Sequence, residues 1–423
     1  MKKILTLLFD LDGTLIDSLH DKFAKYRDGL SDFHISELPV YNGAKELIQK
    51  LKDDGHQVLI VSDSHPKYVN KIANEIFKVE CLSLAYKPAI DKIENFIKEK
   101  SLNKLETSRN RIFMIGDHAV DITTARKLCI PSVHIIHEIN YNPEVWAFTQ
   151  KVGPTFSCRN FDDLYNIINN PLENLLVLEG MEFSDKCRGV VSIGNVNFTS
   201  NQGKKTFNIA LARQESGLCD IFAKSSLYYE FSSPSRETQK LEKIAFAVSN
   251  YIEFFMQRNN ISFDILTFIP DKSTTIPPKK MESFADLIQT AFKKEKLLRW
   301  KDDVKGSIRN QPKRNERYSF VNKYLEAIPT IEITGKNIVV IDDQITTGAT
   351  MDATSEILRS YGANNILSLS LFRMVDEVNI GLKCPKCGKD LSIRTRKSDG
   401  NKFYSCVPSQ YGGVGCGHTD NIK

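Results

Sequence analysis

No run in this sequence is long and apolar enough to read as a membrane span; the early stretch Ile4–Phe9 stops at Asp10. The opening MKKILTLLFD has too short an apolar part for a secretory leader and reads better as a buried first strand. There is no internal repeat, no low-complexity tract and no GxxxxGK[ST] nucleotide loop. Charge of one sign is not in great excess: 57 Lys and Arg against 52 Asp and Glu leave +5, so the whole chain is no polycation. Cysteine is sparse and odd in number, at nine. Five of these (Cys81, Cys129, Cys158, Cys187, Cys219) are scattered, which argues against a disulfide scaffold and for a reducing cytoplasm. These absences lead us to expect a cytoplasmic protein with no membrane partner.

What remains is ordinary globular composition, 41% hydrophobic and 26% charged. At roughly 150 residues per domain, 423 residues suggest about three domains. Charge is unevenly spread. Residues 381–423 hold eight Lys/Arg against three Asp, and Lys293–Arg317 holds ten against four acids. The rest is acidic, with two basic islands.

Residues 1–170 alternate short apolar runs with helix-like stretches such as Gly43–Asp54 and Lys67–Phe77. ILTLLFD, HQVLIVSD and RIFMIGD each end in an acidic residue, the pattern of a parallel, doubly wound α/β sheet whose ligands bind at strand carboxyl ends. Residues 171–206 read as a connector with short strands. A second α/β pattern fills 207–380: a helix over Glu237–Arg258, strands over Phe263–Ile269 and Asn337–Ile341, and a helix over Ala349–Tyr361 closed by Gly362. Residues 381–423 form a small Gly-, Cys- and Lys-rich unit with no helical period.

Asp10 and Asp12 stand two apart directly after the first strand, so both side chains aim the same way. Asp117 and Asp121 stand at i and i+4 after another apolar strand, a repulsive pair on a bare helix. Four carboxylates at one sheet edge ask for a hard cation, and Mg²⁺ fits. These residues resemble the haloacid dehalogenase superfamily of phosphohydrolases, whose four motifs appear in order as DLDGT, Val61-Ser62-Asp63, Lys87-Pro88 and GDHAVD. The resemblance implies that Asp10 attacks phosphorus and that Asp12 is general acid and then base. Ser62 would donate to the phosphoryl oxygens and Lys87 would neutralise charge. Asp117 would hold Mg²⁺ with Asp10 and the Asp12 carbonyl, and Asp121 would brace the site. Only 49 residues separate Asp12 from Ser62, so at most about twenty, His20–Pro39, are left for a minimal cap. His65 and His118 read as surface residues near the site rather than catalysts.

Residues Asn337 to Thr350 read strand, acidic pair, hydroxyl-rich loop, helix. Hydroxyls and N–H groups at a helix N-terminus favour an anion, and Asp342 with Asp343 can accept from a vicinal diol. Together they suit a ribose 5-phosphate. The run resembles the type I phosphoribosyltransferase signature, in its competence-protein-F branch, over about 207–380. The resemblance implies a phosphoribosyltransferase-type sheet binding phosphoribosyl pyrophosphate. Thr346, Thr347, Gly348, Ala349 and Thr350 would hold the 5-phosphate, Asp342 and Asp343 the ribose hydroxyls, and Lys272 the pyrophosphate. Arg299, Lys301, Lys305 and Arg309 would form a mobile basic loop. Purine-salvage members carry an Asp three positions after the second acid; Thr346 stands there, which argues against a purine acceptor.

Cys384, Cys387, Cys406 and Cys416 follow C-x₂-C-x₁₈-C-x₉-C, a tetrahedral Zn²⁺ spacing that resembles the C-terminal zinc ribbon of bacterial type I topoisomerases. Arg394, Arg396, Lys397 and Lys402, interleaved with Phe403, Tyr404 and Tyr411, suit single-stranded nucleic acid or a protein partner.

The expected function is bifunctional: an Mg²⁺-dependent phosphomonoester hydrolase joined to a domain that binds phosphoribosyl pyrophosphate or a nucleotide and transfers phosphoribose. The alternative is a non-catalytic nucleotide-sensing effector, of an accessory or defence system, whose zinc ribbon engages nucleic acid or protein.

Overall fold

The computed structural model describes residues 4–100, 109–181, 193–199, 204–213, 227–233, 238–272, 280–304, 313–375, 392–395, 402–405 and 418–421. Six strands form the first sheet: β1 (Thr6–Phe9), β2 (Gln57–Val61), β3 (Glu80–Leu82), β4 (Ile112–Gly116), β5 (Ser132–Ile135) and β6 (Phe156–Cys158). All pair in parallel, in the order β3-β2-β1-β4-β5-β6. All four residues of β1 are buried because helices cover both faces. Leu7 and Phe9 join Leu47, Leu51, Val69 and Leu164 on one face, while Leu8 joins Ile93, Ile97 and Leu128 on the other.

Chain order reverses between β1 and β4, so their carboxyl ends open a crevice that helices do not close. Asp10 and Asp117 follow those two strands. Two helix starts differ slightly from the sequence reading. Gly43, with φ +84°, caps Ala44–Asp53. The helix expected over Lys67–Phe77 is Pro66–Ile72 continued by a π-turn over Ala73–Phe77. The stretch 20–39 is a small insertion of short helical turns, as the spacing implies. Its Phe23, Phe33 and Leu38 are buried, with Phe33 against Tyr68 at 5.4 Å between ring centroids and Lys71 Nζ donating to the Phe33 carbonyl at 2.6 Å.

The second sheet contains β7 (Ile193–Thr199), β8 (Lys205–Arg213), β9 (Ile265–Phe268), β10 (Lys293–Lys294), β13 (Ile338–Ile345) and β14 (Ile366–Arg373). Its order is β10-β9-β13-β14-β8-β7, parallel except for β7 at the edge. A two-stranded ladder, β11 (Leu298–Trp300) with β12 (Leu325–Ala327), lies outside it. Thr238–Asn259 and Lys280–Leu287 pack on one face, Arg314–Tyr324 and Ala349–Ser360 on the other. β13 runs to Ile345, beyond the expected Ile341, because Gln344 and Ile345 stay in register with Phe372 and Arg373.

In the tail, β15 (Ser392–Thr395), β16 (Lys402–Ser405) and β17 (Thr419–Asn421) form an antiparallel sheet. Cys384, Cys387, Cys406 and Cys416 lie outside the described residues. Among the described residues, no helix is long and apolar enough to cross a membrane.

Candidate active site

β1 delivers Asp10 to the crevice while its backbone remains in the sheet: Asp10 N–H donates to the Ile115 carbonyl at 2.8 Å. The chain then turns tightly at Gly13, whose φ is +82°. A Cβ there would overlap the Asp117 carboxylate, and one at Gly116 would overlap Asp121. Glycine at both positions lets the two acidic loops close on each other.

Asp10, Asp117 and Asp121 offer carboxylate oxygens that all lie within 4.8 Å of one another. Lys87, its side chain 4% exposed, reaches between two of them, with Nζ 2.6 Å from Asp10 Oδ1 and 2.5 Å from Asp121 Oδ1. Its own N–H donates to Asp63 Oδ1 at 2.8 Å, and its bond to Pro88 is cis. Burial opposes the ammonium, but Asp10, Asp121 and Asp63 hold the Lys87 pKa well above the ordinary lysine value. One ammonium does not neutralise three carboxylates. Burial, and then Asp121, push the Asp117 carboxyl up to about 7. Burial also raises Asp10 well above the carboxylate range; Lys87 opposes this, while Asp121 and Asp117 add to it. A buried acidic cluster strained in this way fits a divalent cation, which would remove the repulsion.

Asp12 belongs to a different layer. Its carboxylate accepts from Ser18 Oγ, from Ser64 Oγ at 2.7 Å and from Tyr68 OH at 3.0 Å. Ser62 Oγ is also turned to Asp12 Oδ2, at 3.4 Å, and accepts from Ser64 N–H at 3.1 Å. The Asp12 side chain thus stands apart from the three-carboxylate cluster, held by hydroxyls from the loop after β1, the loop after β2 and Pro66–Ile72.

Several of these groups escape sequence reading. Ser18, Ser64 and Tyr68 carry no motif of their own. Thr14, inside DLDGT, donates Oγ1–H to Asp117 Oδ1 at 3.1 Å and was legible in principle. His134 and His137, around the end of β5, reach the Asp117 and Thr14 carbonyls. Burial lowers both imidazoles, His134 to about 4. His65 and His118 serve as helix caps: His65 Nδ1 accepts from Lys67 N–H, and His118 Nδ1 from Val120 N–H.

In the second sheet, Asp342 and Asp343 lie within β13 rather than in a loop after it. Asp342 is 8% exposed, and burial followed by the charge of Asp343 raises its pKa well above the carboxylate range. Asp343 N–H donates to Asp342 Oδ1 at 2.9 Å, and Lys280 Nζ to Asp343 Oδ2 at 2.6 Å. Lys280, a partner that no motif signalled, enters from its own helix. Gly348, with φ +77°, turns the chain into Ala349–Ser360, so the Thr346–Thr350 run does sit at a helix N-terminus. Thr346 Oγ1 donates to Met374 Sδ at 3.4 Å. Lys272 Nζ lies over Trp300 and Phe320, 5.0 and 4.6 Å from the ring centroids, and burial lowers its pKa. Arg299 pairs with Glu326 and Lys301 donates to the Lys323 carbonyl; Lys305 and Arg309 lie outside the described residues.

No curated protein matches the chain. Among solved structures, it is similar to a predicted phosphatase from Clostridium acetobutylicum at 20% identity, over 39% of this chain and 98% of that one, with TM-score 0.31. It is similar to a predicted phosphoglycolate phosphatase from Haemophilus somnus at 17%, over 40% and 98%, with TM-score 0.30. A third is a haloacid dehalogenase-like family hydrolase from Streptococcus pneumoniae, at 15%, over 39% and 99%, with TM-score 0.30. Residues 20–128 match the family model of the haloacid dehalogenase-like hydrolases, a span that contains Ser62, Lys87, Asp117 and Asp121 and begins after Asp10 and Asp12.

Proposed function

We propose that the first domain hydrolyses phosphomonoesters through an aspartyl-phosphate on Asp10. The observation that carries this is the Asp10–Asp117–Asp121 cluster, gripped by Lys87 and set beside a separately held Asp12. Lys87 fixes Asp10 Oδ1, which leaves Oδ2 as the attacking oxygen. The P–O bond to Asp10 forms as the ester P–O bond breaks, and Asp12 gives the leaving oxygen its proton. Asp12 then takes a proton from the water that attacks the phosphoenzyme, releasing phosphate and free Asp10. Mg²⁺, held by Asp10 and Asp117 with Asp121 behind them, would supply charge neutralisation for the phosphoryl oxygens. An insertion as short as 20–39 supports bulky esters as substrates. The test is release of phosphate from an aryl phosphate, with and without Mg²⁺, together with mass detection of a phosphoryl group on Asp10.

A second reading concerns the other sheet. The acidic pair of β13, buried Asp342 and half-buried Asp343, five residues before the Gly348 cap of Ala349–Ser360, supports binding of phosphoribosyl pyrophosphate or a nucleotide, with transfer of phosphoribose to an acceptor. For the tail we propose one Zn²⁺ on Cys384, Cys387, Cys406 and Cys416, and contact with single-stranded nucleic acid or a protein. Metal analysis of protein purified without chelator tests the zinc. If phosphoribosyl pyrophosphate binds without turnover, the chain is a nucleotide-sensing effector instead.

A further inference from the structure

Two imidazoles approach Asp117 from the β5 side by different routes. His134, on β5, is 1% exposed. Its Nε2 lies 3.1 Å from the Asp117 carbonyl oxygen, and its Nδ1 lies 3.3 Å from Gln150 Nε2. A carbonyl can only accept, so Nε2 carries the hydrogen and Nδ1 receives one from the Gln150 amide. Gln150 is itself anchored, donating to Ser157 Oγ at 3.0 Å. The tautomer and the ring plane of His134 are therefore both fixed.

His137 takes the second route. Its Nε2 lies 2.9 Å from the Thr14 carbonyl oxygen, and the Thr14 hydroxyl donates to Asp117 Oδ1. Tyr41 stacks on the imidazole with centroids 3.7 Å apart, and Phe161 meets it edge-on at 5.0 Å. The Tyr41 hydroxyl is tied to Asp17 Oδ1 at 3.2 Å and accepts from Asn140 Nδ2 at 2.5 Å. One imidazole thus fixes the backbone of Asp117 and the other, through Thr14, one oxygen of its carboxylate. Neither touches a position where a phosphoryl group would react.

We propose that His134 and His137 are positioning residues for Asp117, holding its remaining oxygen, Oδ2, where it can ligate a divalent cation. The proposal rests on reading Asp10, Asp117 and Asp121 as that cation's site. Outer partners of ligands typically set metal affinity within a factor of 10 to 100.

The experiment is calorimetric titration of the full chain with Mg²⁺ alone, beside thermal melting, for the parent, His137→Ala, His137→Gln, His134→Ala and Asp117→Asn. We expect Asp117→Asn to abolish Mg²⁺ binding and each alanine variant to weaken it about 10- to 100-fold. His137→Gln, whose amide can still donate to the Thr14 carbonyl, should recover most of that loss. Alanine variants that melt lower yet bind Mg²⁺ like the parent would show a purely structural role and overturn the proposal. Should His134→Ala fail to fold, the two His137 variants decide alone. Unchanged binding by Asp117→Asn, or none by the parent, would instead remove the cation-site reading itself, and the proposal with it.

Discussion

The Lys87 ammonium lies 2.6 Å from Asp10 Oδ1, and their side chains are only 4% and 10% exposed. Asp10 and this cation are therefore fixed to each other within the fold. Lys87→Met should leave Asp10 and Asp121 buried without a cation. Removing one partner of a buried pair costs about 3 kcal/mol or more. Denaturant unfolding should show that loss, partly restored by Mg²⁺. Stability equal to the parent's would mean that the ion pair does not form in solution.

Asp10→Asn keeps the shape of the proposed nucleophile and removes its charge. Hydrolysis of an aryl phosphate should fall at least about 10³-fold, roughly 4 kcal/mol of barrier. Initial rates on the folded variant check this, and full retained activity would exclude Asp10 as the nucleophile.

Gly13→Ala introduces a Cβ at φ +82°, against the Asp117 carboxylate. Backbone strain of this kind costs on the order of 1–3 kcal/mol, and the acidic loops should also separate. Both a lower melting temperature and weaker Mg²⁺ binding are expected. Wild-type behaviour in both would contradict the close packing of these loops.

His134 is held neutral in the fold, with its pKa brought down to about 4 by burial. An unfolded histidine takes up its proton near pH 6.5, so between about 6.5 and 4 the unfolded state binds more protons. Stability is therefore full above that window and is lost as pH falls through it, by up to about 3 kcal/mol. Melting curves between pH 7.5 and 4.5 should show a decline that His134→Gln flattens. An equal decline in the variant would assign it to other groups.

For the second sheet, Asp342→Asn combined with Asp343→Asn should weaken binding of phosphoribosyl pyrophosphate by removing diol acceptors. Calorimetry reads this directly. No heat from the parent at millimolar ligand would end the phosphoribosyl reading of that site.

The parts of the first site legible from sequence are those that local geometry places. Asp10 and Asp12 follow a strand by one and three residues, and Asp121 sits in the first turn of its helix, so spacing marks all three; the shared direction expected of Asp10 and Asp12 does not hold, because Asp12 turns to Ser18, Ser64 and Tyr68 once the strand has ended. Tyr68 and Ser64 reach Asp12 across 56 and 52 residues, and nothing in their own neighbourhood marks them. His134 looks like any residue of a buried strand until Asp117 is seen beside it. Asp342 and Asp343 were readable as a pair, but the extension of β13 through them depends on register with β14, a long-range property. Lys280 has the same character, since its partner Asp343 lies 63 residues away.

The placement of β1 also has a consequence for how this chain acquires its fold. Thr6 pairs with Gln57 on one side and with Ile112 on the other, so the first of these six strands in chain order lies in the middle of its sheet. During synthesis the N–H and C=O groups along its edges have no partner until β2 emerges, and one edge stays open until β4 follows. An exposed strand of this kind invites pairing with other chains while it waits. Slowing translation between β2 and β4 should therefore increase the fraction of chains lost to aggregation.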